Sequence, residues 1–169
     1  MERAHSTATG SVLGPAGEAV GLGGIFNRLI QEHGELMTLI RQVKMSADAG
    51  LRRDVYRTIR AELTVHERAE SSVLYAELQR YPETRRIATE HAAFARELEE
   101  GLCELDALDA AGDEWVAAFA RFSELARAHV EEEENAFFPV ARQTLGDSAS
   151  WELERQYKHV KQGFANSIM

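Results

Sequence analysis

The sequence is poor in cysteine. Only Cys103 among the 169 residues is a cysteine, so no disulfide can form within the chain. The same shortage excludes cysteine-based zinc clusters and dithiol redox motifs. We expect Cys103 to be a small residue at the edge of the core. The chain also has neither a nucleophile motif nor a glycine-rich phosphate-binding loop.

Positive charge and long apolar runs are scarce as well. The chain has 19 Lys and Arg against 28 Asp and Glu, a formal net charge of -9. A nucleic-acid backbone or an anionic membrane surface would repel it, so we expect neither as a partner, whereas small ligands and metal cations fit. No apolar run reaches the roughly 18 residues of a membrane span, and no clear signal core is present. We therefore expect a cytoplasmic protein, and the sequence leaves its oligomeric state open.

The composition and hydrophobic pattern predict one all-α domain. With 44% hydrophobic and 28% charged residues, the chain can bury a sizeable core. Residues 1–21 are rich in small residues and are predicted to be a tail, residues 22–145 to form the bundle, and residues 146–169 to form a short additional helical segment on its outside. The four predicted bundle helices cover about 22–45, 51–79, 83–109 and 113–145, with Asp113 as the N-cap of the last. Because the connections are short, the helices should form an antiparallel up-down-up-down four-helix bundle.

A histidine and a glutamate four residues apart lie inside an apolar helical stripe. The stripe has alternating gaps of four and three residues, which is typical of a helix face packed against other helices. It consists of Trp115, Phe119, Phe122, Ala126, His129, Glu133, Ala136 and Val140. An earlier stripe, Tyr56, Ile59, Leu63, His66, Glu70 and Val73, repeats the His-x-x-x-Glu spacing. Burying such pairs is costly unless they are neutralised, and a cation bound by both side chains would do so.

Two further histidines occupy inward positions of the other two predicted helices. His33 lies between Leu29 and Leu36, and His91 lies between Ile87 and Phe94. Counted from the helix ends at roughly 1.5 Å per residue, all candidate side chains fall at one level of an antiparallel bundle. The candidate metal ligands are His33, His66, Glu70, His91, His129 and Glu133. Imidazole mixed with carboxylate suits iron, manganese or zinc.

This pattern resembles the hemerythrin-like (HHE cation-binding) family over about residues 22–142. The segments Leu-Ile-Gln-Glu-His at 29–33 and Glu-Asn-Ala-Phe-Phe-Pro at 134–139 are similar to family motifs. The resemblance implies two non-haem irons bridged by Glu70, Glu133 and a solvent oxygen. It further implies His33 and His66 as ligands of one iron, and His91 and His129 as ligands of the other.

The sequence departs from oxygen-carrying hemerythrins at one position. Those proteins have a further histidine one turn after the third-helix histidine, where this chain has Ala95. The resemblance therefore implies an open position on both irons, which argues against reversible oxygen carriage. The form His66-Glu67-x-x-Glu70 is similar to the hemerythrin-like iron-sensing domain of an F-box protein, so Glu67 is an additional candidate ligand. The charges at Glu131, Glu132 and Glu134 are predicted to form a solvated face.

Three functions remain open from the sequence. The first is a di-iron protein that binds or senses dioxygen, nitric oxide, peroxide or iron. The second is a di-iron enzyme that decomposes hydrogen peroxide or oxidises iron, and the third is a structural bundle holding zinc or another adventitious ion. A ferritin-like site is disfavoured because no Glu-x-x-His motif occurs in the predicted helices. Zinc hydrolysis is disfavoured because it does not call for two bridging carboxylates.

Overall fold

The computed structural model describes residues 23–168, and every regular element within them is helical. Its α-helices are α1 (Ile25–Met45), α2 (Ala49–Glu70), α3 (Ala76–Leu78), α4 (Arg85–Asp106), α5 (Asp113–Glu132) and α6 (Phe138–Ile168). A π-helical turn at Ser71–Tyr75 joins α2 to α3, and a second at Glu133–Phe137 joins α5 to α6. Each joined pair therefore forms one rod, and the predicted four-helix bundle is confirmed. The predicted tail, residues 1–21, lies outside the described residues.

The helix starts show how local sequence sets the boundaries. The Asp48 side chain caps α2 by accepting hydrogen bonds from the backbone N–H groups of Gly50 (2.7 Å) and Leu51 (3.1 Å). The prediction of Asp113 as the N-cap of α5 was wrong by one residue, because Gly112 occupies that position. Asp113 lies instead in the first turn, where its negative charge interacts favourably with the helix dipole.

The apolar core consists of two clusters, one at each end of the bundle. Cluster A contains Ile25, Phe26, Leu29, Ala69, Val73, Leu74, Tyr75, Leu78, Ile87, Ala88, Phe137, Phe138, Ala141, Leu153 and Tyr157. Cluster B contains Leu36, Ile40, Val43, Tyr56, Ile59, Leu63, Leu98, Leu102, Leu105, Ala110, Trp115, Ala118, Phe119, Phe122 and Ala126. Helices α1 and α4 run from cluster A to cluster B, whereas α2 and α5 run from B to A. The alternation confirms the up-down-up-down topology.

The π turns change which side chains face the core. The sequence placed Ala136 and Val140 on the inward stripe, but both are exposed, and Phe137 and Ala141 are buried instead. A π turn adds one residue to a helical turn, so the inward stripe moves by one position after Glu133. The turn also precedes Pro139, whose ring would clash with the carbonyl four residues earlier in a regular α-helix.

The C-terminal segment enters the core more deeply than the sequence indicated. Helix α6 bends at Gly146, whose φ of 76° is a conformation that favours glycine. Beyond the bend, Leu153 and Tyr157 are buried in cluster A, so the segment does not lie only on the outside of the bundle. The Ser150 hydroxyl donates a hydrogen bond to the Gly23 carbonyl (2.9 Å), which ties this segment to the start of α1. The division of the chain at residue 146 stays a prediction.

Two further expectations concern the exposure of Cys103 and the absence of membrane-spanning helices. Cys103 is exposed rather than at the core edge, because Leu102 and Leu105 take the inward positions of α4. Within residues 23–168, no helix combines the length and apolar character needed to cross a membrane.

Candidate metal centre

A layer of buried polar side chains separates the two apolar clusters. The six candidate ligands all lie in it, and none is more than 5% exposed: His33, His66, Glu70, His91, His129 and Glu133. In each helix of the bundle, the polar residues interrupt the inward apolar stripe where the stripe passes from one cluster to the other, as His33 does between Leu29 and Leu36. The expectation that the six side chains meet at one level therefore agrees with the structure.

The donor atoms form two groups that share one carboxylate. His33, His66 and Glu70 offer ligand atoms that lie within 4.8 Å of one another. A second group with the same limit contains Glu67, Glu70, His91 and His129. We call these the His33 position and the His129 position. Glu70 is the residue that the two groups share.

Glu133 connects the same two positions from the opposite rod. Its Oε2 lies 3.3 Å from His33 Nε2 and 3.5 Å from His129 Nε2, and its Oε1 lies 2.9 Å from His91 Nδ1. The Tyr75 hydroxyl donates a 2.7 Å hydrogen bond to Glu133 Oε1. The Tyr75 ring stacks on the His91 ring with centroids 3.6 Å apart. Tyr75 therefore fixes the orientation of one candidate carboxylate and one candidate imidazole.

Most of the unpaired buried polar atoms in the described residues belong to this layer. Atoms without a hydrogen-bond partner are His33 Nε2, His66 Nε2, Glu67 Oε2, both Glu70 oxygens, His129 Nδ1 and Glu133 Oε2, with Arg52 Nε the one outside the layer. Leaving so many buried donors and acceptors unpaired is costly, and folded proteins rarely do so without a partner for them. Unpaired imidazole nitrogens beside unpaired carboxylate oxygens are the donor set that a transition-metal ion requires. The residues present therefore fit a bound metal.

The charges of the two shared glutamates are perturbed in opposite directions. Burial, and then the negative charges of Glu133 and Glu67, raise the pKa of Glu70 well above its ordinary value. Burial also disfavours ionised Glu133, but the neighbouring histidines outweigh it and hold the pKa of Glu133 well below its ordinary value. Without a cation, these shifts favour a protonated Glu70 and an ionised Glu133. A metal that binds at protonated Glu70 would release its proton.

His33 is the histidine with the clearest shift. Burial lowers its pKa, but the nearby carboxylates of Glu133 and Glu134 outweigh burial and raise the pKa of His33 to about 9. A metal ion at this imidazole therefore competes with a proton at neutral pH.

Sequence reasoning missed four polar residues around the layer. Tyr75, Glu32, Glu134 and Tyr157 all contact candidate ligands. Glu134 was expected on a solvated face, but its Oε1 lies 2.9 Å from His33 Nδ1. Glu32 precedes His33 in the sequence, and it pairs with a histidine of the neighbouring helix. The adjacency of Glu32 to His33 was visible in the sequence, but its partner on α2 was not.

The structure also places Glu67, the additional candidate ligand, and Ala95, the position of the missing histidine. Glu67 is buried, and its carboxylate oxygens lie 3.1 Å from His129 Nε2 and 3.8 Å from His91 Nε2. Ala95 and Glu67 line one cavity of about 290 Å³. The small side chain of Ala95 therefore leaves open space on the Glu67 side of the layer.

Comparisons with known proteins agree with this geometry. The family model described as the hemerythrin HHE cation binding domain matches residues 24–141. The chain belongs to the hemerythrin HHE cation-binding family. A crystal structure of a hemerythrin HHE cation binding domain-containing protein from Mycobacterium kansasii superposes with a TM-score of 0.75 and 21% identity, covering 86% of this chain and 90% of that chain. At this identity the similarity supports the fold alone. A search of curated proteins found no significant match.

The family match ends at residue 141, before the bend at Gly146. As an HHE domain the chain is a metal-binding protein, and its buried histidine and glutamate cluster is compatible with a metal site. The bend at Gly146 and the segment that carries Tyr157 lie beyond the matched residues. The individual ligands remain a prediction.

Proposed function

We propose that this HHE domain holds two non-haem irons and binds or senses dioxygen or a related small ligand such as nitric oxide or peroxide. The observation that carries the proposal is the sharing of Glu70 between the two donor groups. A single cation would need only one of these groups. Two groups with a common carboxylate favour a pair of ions.

The chain would divide its donor residues between two irons with different ligand sets. His33 and His66 would hold one iron, His91 and His129 would hold the other, and Glu70 and Glu133 would bridge. Glu67 would add a carboxylate at the His129 position, supported by its contacts with both histidines there. Buried carboxylates next to one another repel, and two divalent cations would remove that repulsion.

The fold would also keep bulk water away and limit what can reach the ions. Clusters A and B cover both ends of the layer, and the Phe138 ring stacks over His33 with centroids 5.9 Å apart. A surface cleft of about 1110 Å³ is lined by His33 and Glu134. A smaller cavity of about 240 Å³ is lined by His66 and Glu32. When bound, the iron pair would supply ligand binding and electron exchange, and these openings would admit small molecules.

The second candidate function is an enzyme that decomposes hydrogen peroxide or oxidises iron. The observation in its favour is the cavity beside Ala95, where oxygen-carrying relatives have a further histidine. In this second function Glu67 does not ligate and the Ala95 side chain supplies no donor, so each iron would keep a position for an exogenous ligand, which suits turnover better than storage of oxygen.

Anaerobic purification and reconstitution with Fe²⁺ test the proposal. We expect about two irons per chain, since two donor groups are present. A His129→Ala variant should lose metal, whereas His159→Ala, which changes an exposed histidine on α6, should retain it.

Stopped-flow mixing with dioxygen, followed by argon purging, then separates reversible binding from oxidation. Evolution of dioxygen from added peroxide would favour the enzyme over the binding protein. A stoichiometry of one iron per chain, or unchanged metal content in His129→Ala, would overturn the di-iron proposal.

A further inference from the structure

We infer that the C-terminal part of α6 belongs to the metal centre, because Tyr157 holds Glu32 and Glu32 in turn orients His66. The inference rests on the proposed function in one respect, namely that His66 is a metal ligand. It assigns Glu32 and Tyr157 as positioning residues, which act on the ligand without touching the ion.

Glu32 is held by donors from three helices. Its Oε2 accepts hydrogen bonds from the Tyr157 hydroxyl (2.6 Å) and from Lys161 Nζ (2.7 Å), and it lies 3.0 Å from His66 Nδ1. Its Oε1 accepts a hydrogen bond from Arg28 Nε (2.6 Å). The Glu32 residue is only 7% exposed. A carboxylate with these partners has little freedom to turn away and ligate a metal.

This arrangement decides which nitrogen of His66 carries the proton. An ionised carboxylate can only accept, so the contact with Glu32 requires a proton on His66 Nδ1. The Nε2 atom is then left with its lone pair, and it lies 3.5 Å from Glu70 Oε2 in the polar layer. Glu32 therefore presents the metal-binding nitrogen of His66 towards the shared carboxylate.

The effect should be confined to one of the two metal positions. His33 has the same arrangement as His66, because its Nδ1 lies 2.9 Å from Glu134 Oε1. At the other position, His129 contacts Glu67 and Glu133, which are themselves candidate ligands, and its Nδ1 has no hydrogen-bond partner. An outer carboxylate fixes the ring and makes an imidazole a stronger donor. Loss of Glu32 should thus weaken the His33 position alone.

Packing does not explain the identity of residue 157. The side chain is fully buried in cluster A, where phenylalanine would contribute similar apolar contacts. The Tyr157 hydroxyl lies 2.6 Å from Glu32 and 3.1 Å from His66 Nδ1. A buried hydroxyl between a carboxylate and a candidate ligand indicates a role in the centre.

Anaerobic Fe²⁺ titration against a chromophoric chelator tests the inference with three variants. In Glu32→Gln, one of the two iron equivalents should bind 10- to 100-fold more weakly while the other is unchanged, the usual effect of losing an outer-shell partner of a ligating histidine. In Tyr157→Phe the same equivalent should weaken by about 5-fold, since one hydrogen bond is lost. Glu62→Gln is the matched control, because Glu62 also faces Lys161 (3.7 Å) but has no hydrogen bond or ion pair with a histidine. It should bind both ions as the parent does.

A metal-independent readout separates this inference from the proposed function. Long-range ¹H–¹⁵N correlation in the metal-free full-length protein should show His66 with its proton on Nδ1. In Glu32→Leu, the Tyr157 hydroxyl can donate to Nδ1 instead, and the proton should move to Nε2. A proton on Nε2 in the parent protein would overturn the inference even if two irons bind. If the parent binds fewer than two irons but shows the Nδ1 proton, the proposed function fails and the positioning role of Glu32 stands.

Discussion

Replacing Glu70 by glutamine separates metal binding from folding. Glu70 is completely buried, both of its oxygens lack a hydrogen-bond partner, and it belongs to both donor groups. The substitution keeps the shape of the side chain and removes its negative charge. It should therefore weaken both metal positions without creating a cavity.

The expected stabilisation of the parent by metal is large. At a free metal concentration about 1000 times the Kd, one site stabilises the folded state by about 4 kcal/mol, and two sites by about 8 kcal/mol. In a domain of this size, about 1 kcal/mol moves the Tm by roughly 2–4 °C. The parent should thus melt roughly 15–30 °C higher with metal than without it. Glu70→Gln should show less than a third of that increase.

The metal-free protein should respond in the opposite direction. Because the pKa of Glu70 is raised, the folded state holds this proton more strongly than the unfolded chain does. Stability is therefore lost as pH rises above the ordinary carboxyl pKa, and glutamine, which does not titrate, avoids that loss. At pH 7 the metal-free variant should melt at or above the Tm of the parent.

Differential scanning calorimetry of parent and variant, each with chelator and with excess metal, measures both effects. Glu62→Gln serves as the control, because its side chain is 60% exposed on the same helix. The reasoning would be refuted by a variant that melts well below the parent without metal. An undiminished increase of Tm in the variant with metal would refute it equally.

Three further predictions concern protonation, ligand assignment and helix capping. The pKa of His33 is raised to about 9, so in the metal-free protein the stabilising contribution of His33 is complete below its unfolded pKa of about 6.5 and is lost as pH rises through 9. Metal affinity at the His33 position should instead increase about tenfold per pH unit up to pH 9. A chelator competition series in which the affinity is constant from pH 6.5 to 8.5 would contradict this. In Glu67→Gln, the iron held by His91 and His129 should bind more weakly and the other iron should bind as in the parent, as measured by Fe²⁺ titration. If both irons bind to the variant as tightly as to the parent, Glu67 is excluded as a ligand. Asp48→Ala removes the N-cap of α2 and should lower the free energy of unfolding, measured by chemical denaturation, by about 1 kcal/mol with no change in metal content. A loss of metal in this variant would contradict the prediction, because the cap would then also be needed to hold the metal centre.

The sequence predicted the parts of this protein that depend on periodic spacing. Four amphipathic stripes with short connections predicted the bundle, and His66 and His129, each followed by a glutamate four residues later, predicted a buried polar layer. Both features repeat along a helix with a fixed period, so residue counts were sufficient to place them at one level. The individual ligands remain a prediction, but the side chains that were expected to meet do lie together.

Periodic spacing did not predict the π turns. After Glu133 the periodic stripe predicted Ala136 and Val140 inside, but the structure buries Phe137 and Ala141. A stripe read at constant period cannot reveal where a helix gains a residue, because that depends on how the helix packs against its neighbours.

Only the tertiary structure decided what surrounds the candidate ligands. Glu32 and Tyr157 are 125 residues apart, and their hydrogen bond forms because the bend at Gly146 directs α6 back onto α1 and α2. Glu134 was expected to be solvated, yet it contacts His33 on another helix. Spacing along one helix determines which face a side chain occupies. The partner that it meets there is determined by the packing of the other helices.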